Sequence, residues 1–234
     1  MVPAMRRDAG RDPARDEQLA LACVRLELHD GPRLRRRIVG LPIGLRVKRL
    51  PPSALQAWRE LERETVADGR IFTLERSVAV SPVDGEPRTF HRIDSVDWVQ
   101  ILPITADDEA ILVRQYRHGA QRITLEMPGG LIDEGEEPAT AALRECLEET
   151  GYRAHIARPL GAVNPNPALF KNLLHSFYAP DAEPESAIQN TGTEITEVVL
   201  VPVSDLEGLL VSGEIDHALV AATLWRYLSL HRRR

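Results

Sequence analysis

Apolar positions gather in short runs along most of this chain and thin out toward its start. Residues 98–104 and 110–116 are aliphatic and β-branched almost throughout, which predicts strands buried on both faces. Residues 123–127, 152–163, 173–179 and 198–203 supply further strands. Residues 71–80 and 88–93 flank the turn-rich SPVDGEP and predict a hairpin, while 54–67 has helix-like spacing. Two closing helices are predicted at 204–211 and 216–231, and no internal repeat is evident.

These elements divide the chain into three parts. Residues 1–43, rich in Arg, Asp and Pro with one short apolar patch at 19–26, read as a poorly structured leader. Residues 44–95 form an N-terminal subdomain of helix and hairpin, and 96–234 the main domain. With 43% hydrophobic residues in 234, the chain can bury one sizeable core and carry extra segments.

The segment GLIDEGEEPATAALRECLEETGY, from Gly130 to Tyr152, changes the picture. Glu145, Glu148 and Glu149 stand at i, i+3 and i+4, so a helix puts three carboxylates on one face. Leu143, Cys146 and Leu147 fall about opposite, which buries one side and turns the acidic side toward solvent or a cleft. Carboxylate oxygens so placed suit Mg²⁺ or Mn²⁺ together with phosphate oxygens. A solvated acidic face is the alternative that the helix alone leaves open. Gly129 and Gly130 allow close backbone approach before the helix, Pro138 suits its first turn, and Gly151 suits its left-handed end.

Composition excludes other classes. No apolar run approaches the roughly 20 residues of a membrane span, and the start lacks the apolar core of a secretory signal. The two cysteines, Cys23 and Cys146, make a structural disulfide a poor expectation and a reducing cytoplasm the default. A net charge of −6 and the lack of a basic, aromatic-interleaved stripe in the second half argue against nucleic acid. The basic clusters at Arg33, at 35–37 and at 232–234 read as solvated tail charge.

Gly130, five residues, Glu136, seven residues and then RECLEETGY resemble the signature of the Nudix hydrolases at every fixed position, with Cys146 where a larger aliphatic residue is usual. The resemblance implies an α+β fold: an α/β/α sandwich with a mixed sheet and a small N-terminal β-subdomain. It also implies hydrolysis of a nucleoside diphosphate linked to another moiety. Glu145, Glu148 and Glu149 become metal ligands, the Gly129 carbonyl a further one, and Arg144 pairs with Glu136 to hold them.

The flanks resemble the ADP-ribose pyrophosphatase and nucleotide-sugar branch. LVRQYRHG and LEMPGG put Arg117 and Glu126 at the site, with Arg117 suited to a diphosphate oxygen, while Arg114 belongs to the other sheet face. Pro167 falls where a proline marks that branch, and NPNPALFKN offers Asn166 and Asn172 as substrate contacts, although an Asn-Pro turn explains the first as well. With SGEIDHALVAATLWRYL the similarity spans about residues 71–231. It implies Mg²⁺-dependent conversion of ADP-ribose to AMP and ribose 5-phosphate by a cytoplasmic homodimer joined through the N-terminal sheet.

GDP-mannose or another nucleotide sugar is the alternative substrate, and a nucleotide-sensing module without turnover the alternative class. By the same resemblance Glu194 is the candidate general base, ahead of Glu197, with a box glutamate as the alternative. His175 and Trp98 read as structural.

Overall fold

Ile101 and Leu102 are neighbours on β4 (Trp98–Pro103), so they point to opposite faces, and both have 0% exposure. The computed structural model describes residues 52–190 and 195–231, and repeats this on β5 (Glu109–Arg117) with Ile111 and Leu112. On one side Val99, Ile101, Ile111 and Phe177 pack against Ala141, Ala142 and Cys146 of helix α1 (Pro138–Thr150). On the other, Leu102, Leu112 and Tyr178 pack against Leu206 of α2 (Leu206–Ser212) and Val220, Leu224 and Tyr227 of α3 (Ala218–His231). The layers are therefore helix, sheet and helix, the expected α/β/α sandwich.

The middle layer is mixed. β9 (Leu174–Ala179) runs parallel to β4 and antiparallel to β8 (Arg158–Val163). β5 lies between β6 (Arg122–Glu126) and β11 (Thr196–Pro202), antiparallel to both. The predicted strand at 152–163 is two, because β7 (Tyr152–Arg153) leaves to pair with β10 (Glu183–Pro184). No helix among the described residues is long and apolar enough to cross a membrane.

The N-terminal subdomain departs from expectation. In place of a helix at 54–67 stands a strand, β1 (Arg59–Asp68), in an antiparallel sheet with β2 (Thr73–Val80) and β3 (Pro87–Asp94). RELERETVAD is rich in helix formers, but a strand lets it pair along β2 and set Glu64 against Arg76 at 2.7 Å and Glu60 against Arg92 at 2.9 Å. Tertiary pairing overrides the local preference. The expected leader, Cys23, the basic tails and Glu194 lie outside the described residues.

Candidate active site

After β6 the chain runs beside β4 as an irregular strand. Ile101 N donates to Pro128 O at 3.0 Å, and Val99 and Gly130 exchange bonds at 2.9 and 3.1 Å. That alternation leaves Gly129 turned the other way, where its N–H donates to Glu149 Oε2 at 2.9 Å. A Cβ on Gly129 would lie 2.3 Å from the Val99 carbonyl, and one on Gly130 would lie 2.4 Å from Glu145 Oε1. Both glycines are thus required by close approach: the first to β4, the second to a carboxylate of α1.

Helix α1 begins with Pro138 in its first turn and ends at Gly151, which adopts φ 72° and donates to Leu147 O at 2.8 Å. Its inward face differs from the one expected. Ala141, Ala142 and Cys146 are buried, Leu143 and Leu147 only half so, and Glu149 lies inside at 4% exposure. A carboxylate tolerates that position because the Gly129 N–H meets it. The small Ala pair and Cys146 let the helix sit close to the sheet; burial pushes the Cys146 thiol up to about 12, which makes it a packing group rather than a nucleophile.

Arg144 organises the acids. Its Nε and NH2 donate to Glu136 at 3.1 and 2.9 Å, its NH2 to Leu131 O at 3.2 Å, and its NH1 to Glu145 at 2.8 Å and Glu148 at 3.2 Å. The Glu136 bond, more than the opposing burial, raises the Arg144 pKa above its ordinary value, and the same bond holds the Glu136 carboxyl below the usual range. Glu145, Glu148 and Glu149 therefore share one end of the helix, with Glu145 against Gly130 and Glu149 against Gly129. Among the described residues no three such groups close on a single point, and Glu145 and Glu148 converge on Arg144 NH1. The donor set, three carboxylates beside a backbone with no Cβ, has the hard-oxygen chemistry that suits a divalent cation.

Arg117 and Glu126 form a two-pronged pair, Nε to Oε1 at 2.9 Å and NH2 to Oε2 at 2.7 Å, with Thr124 Oγ1 donating to Oε1 at 2.6 Å. Glu126 is 2% exposed, whereas the Arg117 side chain is 42% exposed. Glu126 therefore does not line the site as expected; it lies beneath Arg117 and aims it. Burial pushes the Glu126 carboxyl up, but the bonds from Arg117 and Thr124 outweigh it and hold the group below the usual carboxylate range. Arg114 faces the other way, toward Glu197 at 3.3 Å.

In the NPNPALFKN loop Asn166 is exposed, and its Oδ1 accepts from Ala168 N at 3.2 Å, an Asx turn. Asn172 is 3% exposed and donates to Val96 O at 3.1 Å, so its side chain anchors the loop instead of facing a substrate. His175 pairs with Asp97 at 2.9 Å, and the Trp98 ring meets Phe170 edge-on at 5.7 Å. Asp97 itself escaped sequence reading. Its Oδ1 accepts from Leu173 N at 2.8 Å and its carbonyl from Ile132 N at 3.0 Å, which joins the loop to the start of the box. An isolated aspartate before a strand carries no signal of that kind.

The NUDIX domain profile matches residues 95–224. The chain belongs to the Nudix family. It is 30% identical over 177 residues to the ADP-ribose pyrophosphatase of Bacillus subtilis, covering 74% of this chain and 95% of that protein. It is 33% identical over 174 residues to the ADP compounds hydrolase NudE of Escherichia coli, covering 74% and 92%. With the ADP-sugar pyrophosphatase of Mus musculus it shares 32% over 181 residues, covering 70% and 83%. A crystal structure of an ADP compounds hydrolase superposes with a TM-score of 0.68 at 30% identity, covering 78% of this chain and all of that one. The Nudix fold expected from the box is the fold observed.

Proposed function

We propose that this Nudix enzyme hydrolyses the diphosphate of ADP-ribose, giving AMP and ribose 5-phosphate. The observation that carries the reading is the juxtaposition of the Arg144-bound carboxylates on α1 with Gly129 and Gly130. The outward-facing Arg117 on its buried Glu126 adds to it. The names of the three relatives given above, each referring to an ADP compound, support the choice of nucleotide. Glu145, Glu148, Glu149 and the Gly129 carbonyl would hold Mg²⁺, or Mn²⁺ in its place, which when bound polarises phosphoryl oxygens and acidifies water.

Arg117 offers a planar donor fork to a diphosphate oxygen, and Arg144 holds Glu136, Glu145 and Glu148 in place. Water attacks one phosphorus, the bridging P–O bond breaks, and the proton from water passes to a carboxylate base. Glu194 is assigned that role on its chain position. Both flanks of residues 191–194 are bonded to the end of the box helix: Gln189 N donates to Glu148 O at 2.8 Å, and Thr196 Oγ1 to Glu149 O at 2.8 Å.

One panel tests the substrate. ADP-ribose, GDP-mannose, UDP-glucose, NADH and diadenosine polyphosphates are compared by kcat/KM at fixed Mg²⁺, with ADP-ribose expected to lead. A higher value for GDP-mannose would overturn the nucleotide, and no turnover with any member would favour a sensing module.

The same reading makes the protein a cytoplasmic homodimer with no nucleic-acid or membrane partner. Trp58 and Phe90 of the N-terminal sheet segment meet edge to face at 5.1 Å yet remain 43% exposed, and Leu61, Val66 and Phe72 are exposed as well. Exposed aromatic and aliphatic residues on a small sheet suit coverage by a second copy. Sedimentation at micromolar concentration is expected to give twice the 26.1 kDa chain mass; a monomer at all concentrations would remove this part of the reading.

A further inference from the structure

The loop 164–172 is held from two sides. Toward the box, Asn172 donates to Val96 O at 3.1 Å, and Leu173 N to Asp97, whose carbonyl holds Ile132. Toward the N-terminal sheet, Ile93 N donates to Leu169 O at 2.8 Å, and Lys171 pairs with Asp94 and lies 3.6 Å from Glu75. Within the loop, Asn164 Nδ2 bonds Phe170 O at 2.9 Å and Asn172 O at 3.1 Å, while Leu169 N and Phe170 N both reach Asn166 O. These bonds tie the loop to itself, and its exposed tip, Asn166 to Leu169, lies between the two anchors.

The anchor on the sheet side is a balanced ion network. Glu75, 8% exposed, accepts from Arg92 Nε at 2.7 Å and lies 3.9 Å from Arg63, while Arg92 also reaches Glu60 at 2.9 Å. With Asp94 and Lys171 this makes three cations and three anions, and Lys171 is the member that comes from the loop. Glu75 keeps Arg92 when Lys171 is removed, so the buried carboxylate is not stranded. The Lys171 and Asp94 side chains are 36% and 38% exposed, where an ion pair adds little to stability. What Lys171 supplies is the direction in which the loop is pulled.

We infer that Lys171 is a positioning residue for substrate selection: through Glu75 and Asp94 it sets the loop tip relative to the box carboxylates, and so the fit of the group beyond the diphosphate. The inference rests on the reading of the site as an ADP-ribose hydrolase. Lys171→Met, which keeps the stem and removes the charge, is expected to raise KM for ADP-ribose about fivefold or more with kcat within about twofold, the pattern of a loss of binding shared by ground state and transition state. Lys171→Arg is expected to restore KM.

In the full chain without substrate, amide exchange of a peptide spanning 165–172 is expected to quicken in Lys171→Met, with a peptide spanning 138–150 unchanged. Unchanged KM would overturn the inference whatever the exchange shows, as would an equal loss of kcat/KM on every turned-over member of the substrate panel. Absence of ADP-ribose turnover in the unaltered protein sinks the underlying reading instead, and the exchange measurement then tests only whether Lys171 anchors the loop.

Discussion

Glu149→Gln is expected to lower Mg²⁺-dependent release of AMP from ADP-ribose by about 10³-fold or more while leaving the protein folded, the scale of losing several kcal/mol of charge stabilisation at the phosphorus. Folding is retained for a specific reason. The amide oxygen of Gln still accepts the Gly129 N–H that now meets Glu149 Oε2 at 2.9 Å, and a neutral group costs less to bury at a position only 4% exposed. Thermal unfolding measured beside turnover separates the two effects, and a kcat within tenfold of the parent would remove Glu149 from the metal-ligand set. In parallel, Glu194→Gln is expected to lower kcat by about 10²-fold without shifting the Mg²⁺ dependence, the usual contribution of a general base. Full turnover in that variant would pass the proton to a box carboxylate.

The different legibility of these residues has physical causes. Strand β4 and the first half of β5 were plain because both of their faces are buried, so nearly every position must be apolar. The box was plain because Gly130, Glu136, Arg144 and the three glutamates stand at fixed spacing along one loop and one helix, where sequence distance is spatial distance. Contacts made across the fold were hidden. Glu149 looked like part of a solvent face because helix periodicity does not show the Gly129 N–H that draws it inward. Glu126 and Arg117 were read as equals, yet depth in the sheet makes one the support of the other.

The strand at Arg59–Asp68 failed for a similar reason, since its Glu and Arg residues favour a helix until β2 offers partners. Asp97 and Lys171 had no local signal. Each works by joining segments that lie over thirty residues apart, Asp97 to Ile132 and Lys171 to Glu75.

The two glycines before the box helix should respond to the same substitution in opposite ways, because what each Cβ would meet differs in its freedom to yield. At Gly129 the neighbour is the Val99 carbonyl at 2.3 Å and Gln100 Cα at 2.8 Å, backbone atoms of a strand whose face is packed on α1. Gly129→Ala must push the loop off β4, and is expected to destabilise the protein by about 1–3 kcal/mol, the range found for overpacked interiors. At Gly130 the neighbour is the end of the Glu145 side chain, with Oε1 at 2.4 Å. A flexible carboxylate can swing aside, so Gly130→Ala is expected to keep stability within about 1 kcal/mol and to lower kcat roughly 100-fold by displacing a metal ligand. Chemical denaturation and turnover on the two variants give a crossed pattern. Equal stability losses in both would show that Glu145 is rigidly held by Arg144, and undisturbed turnover in Gly130→Ala would remove Glu145 from the reacting centre.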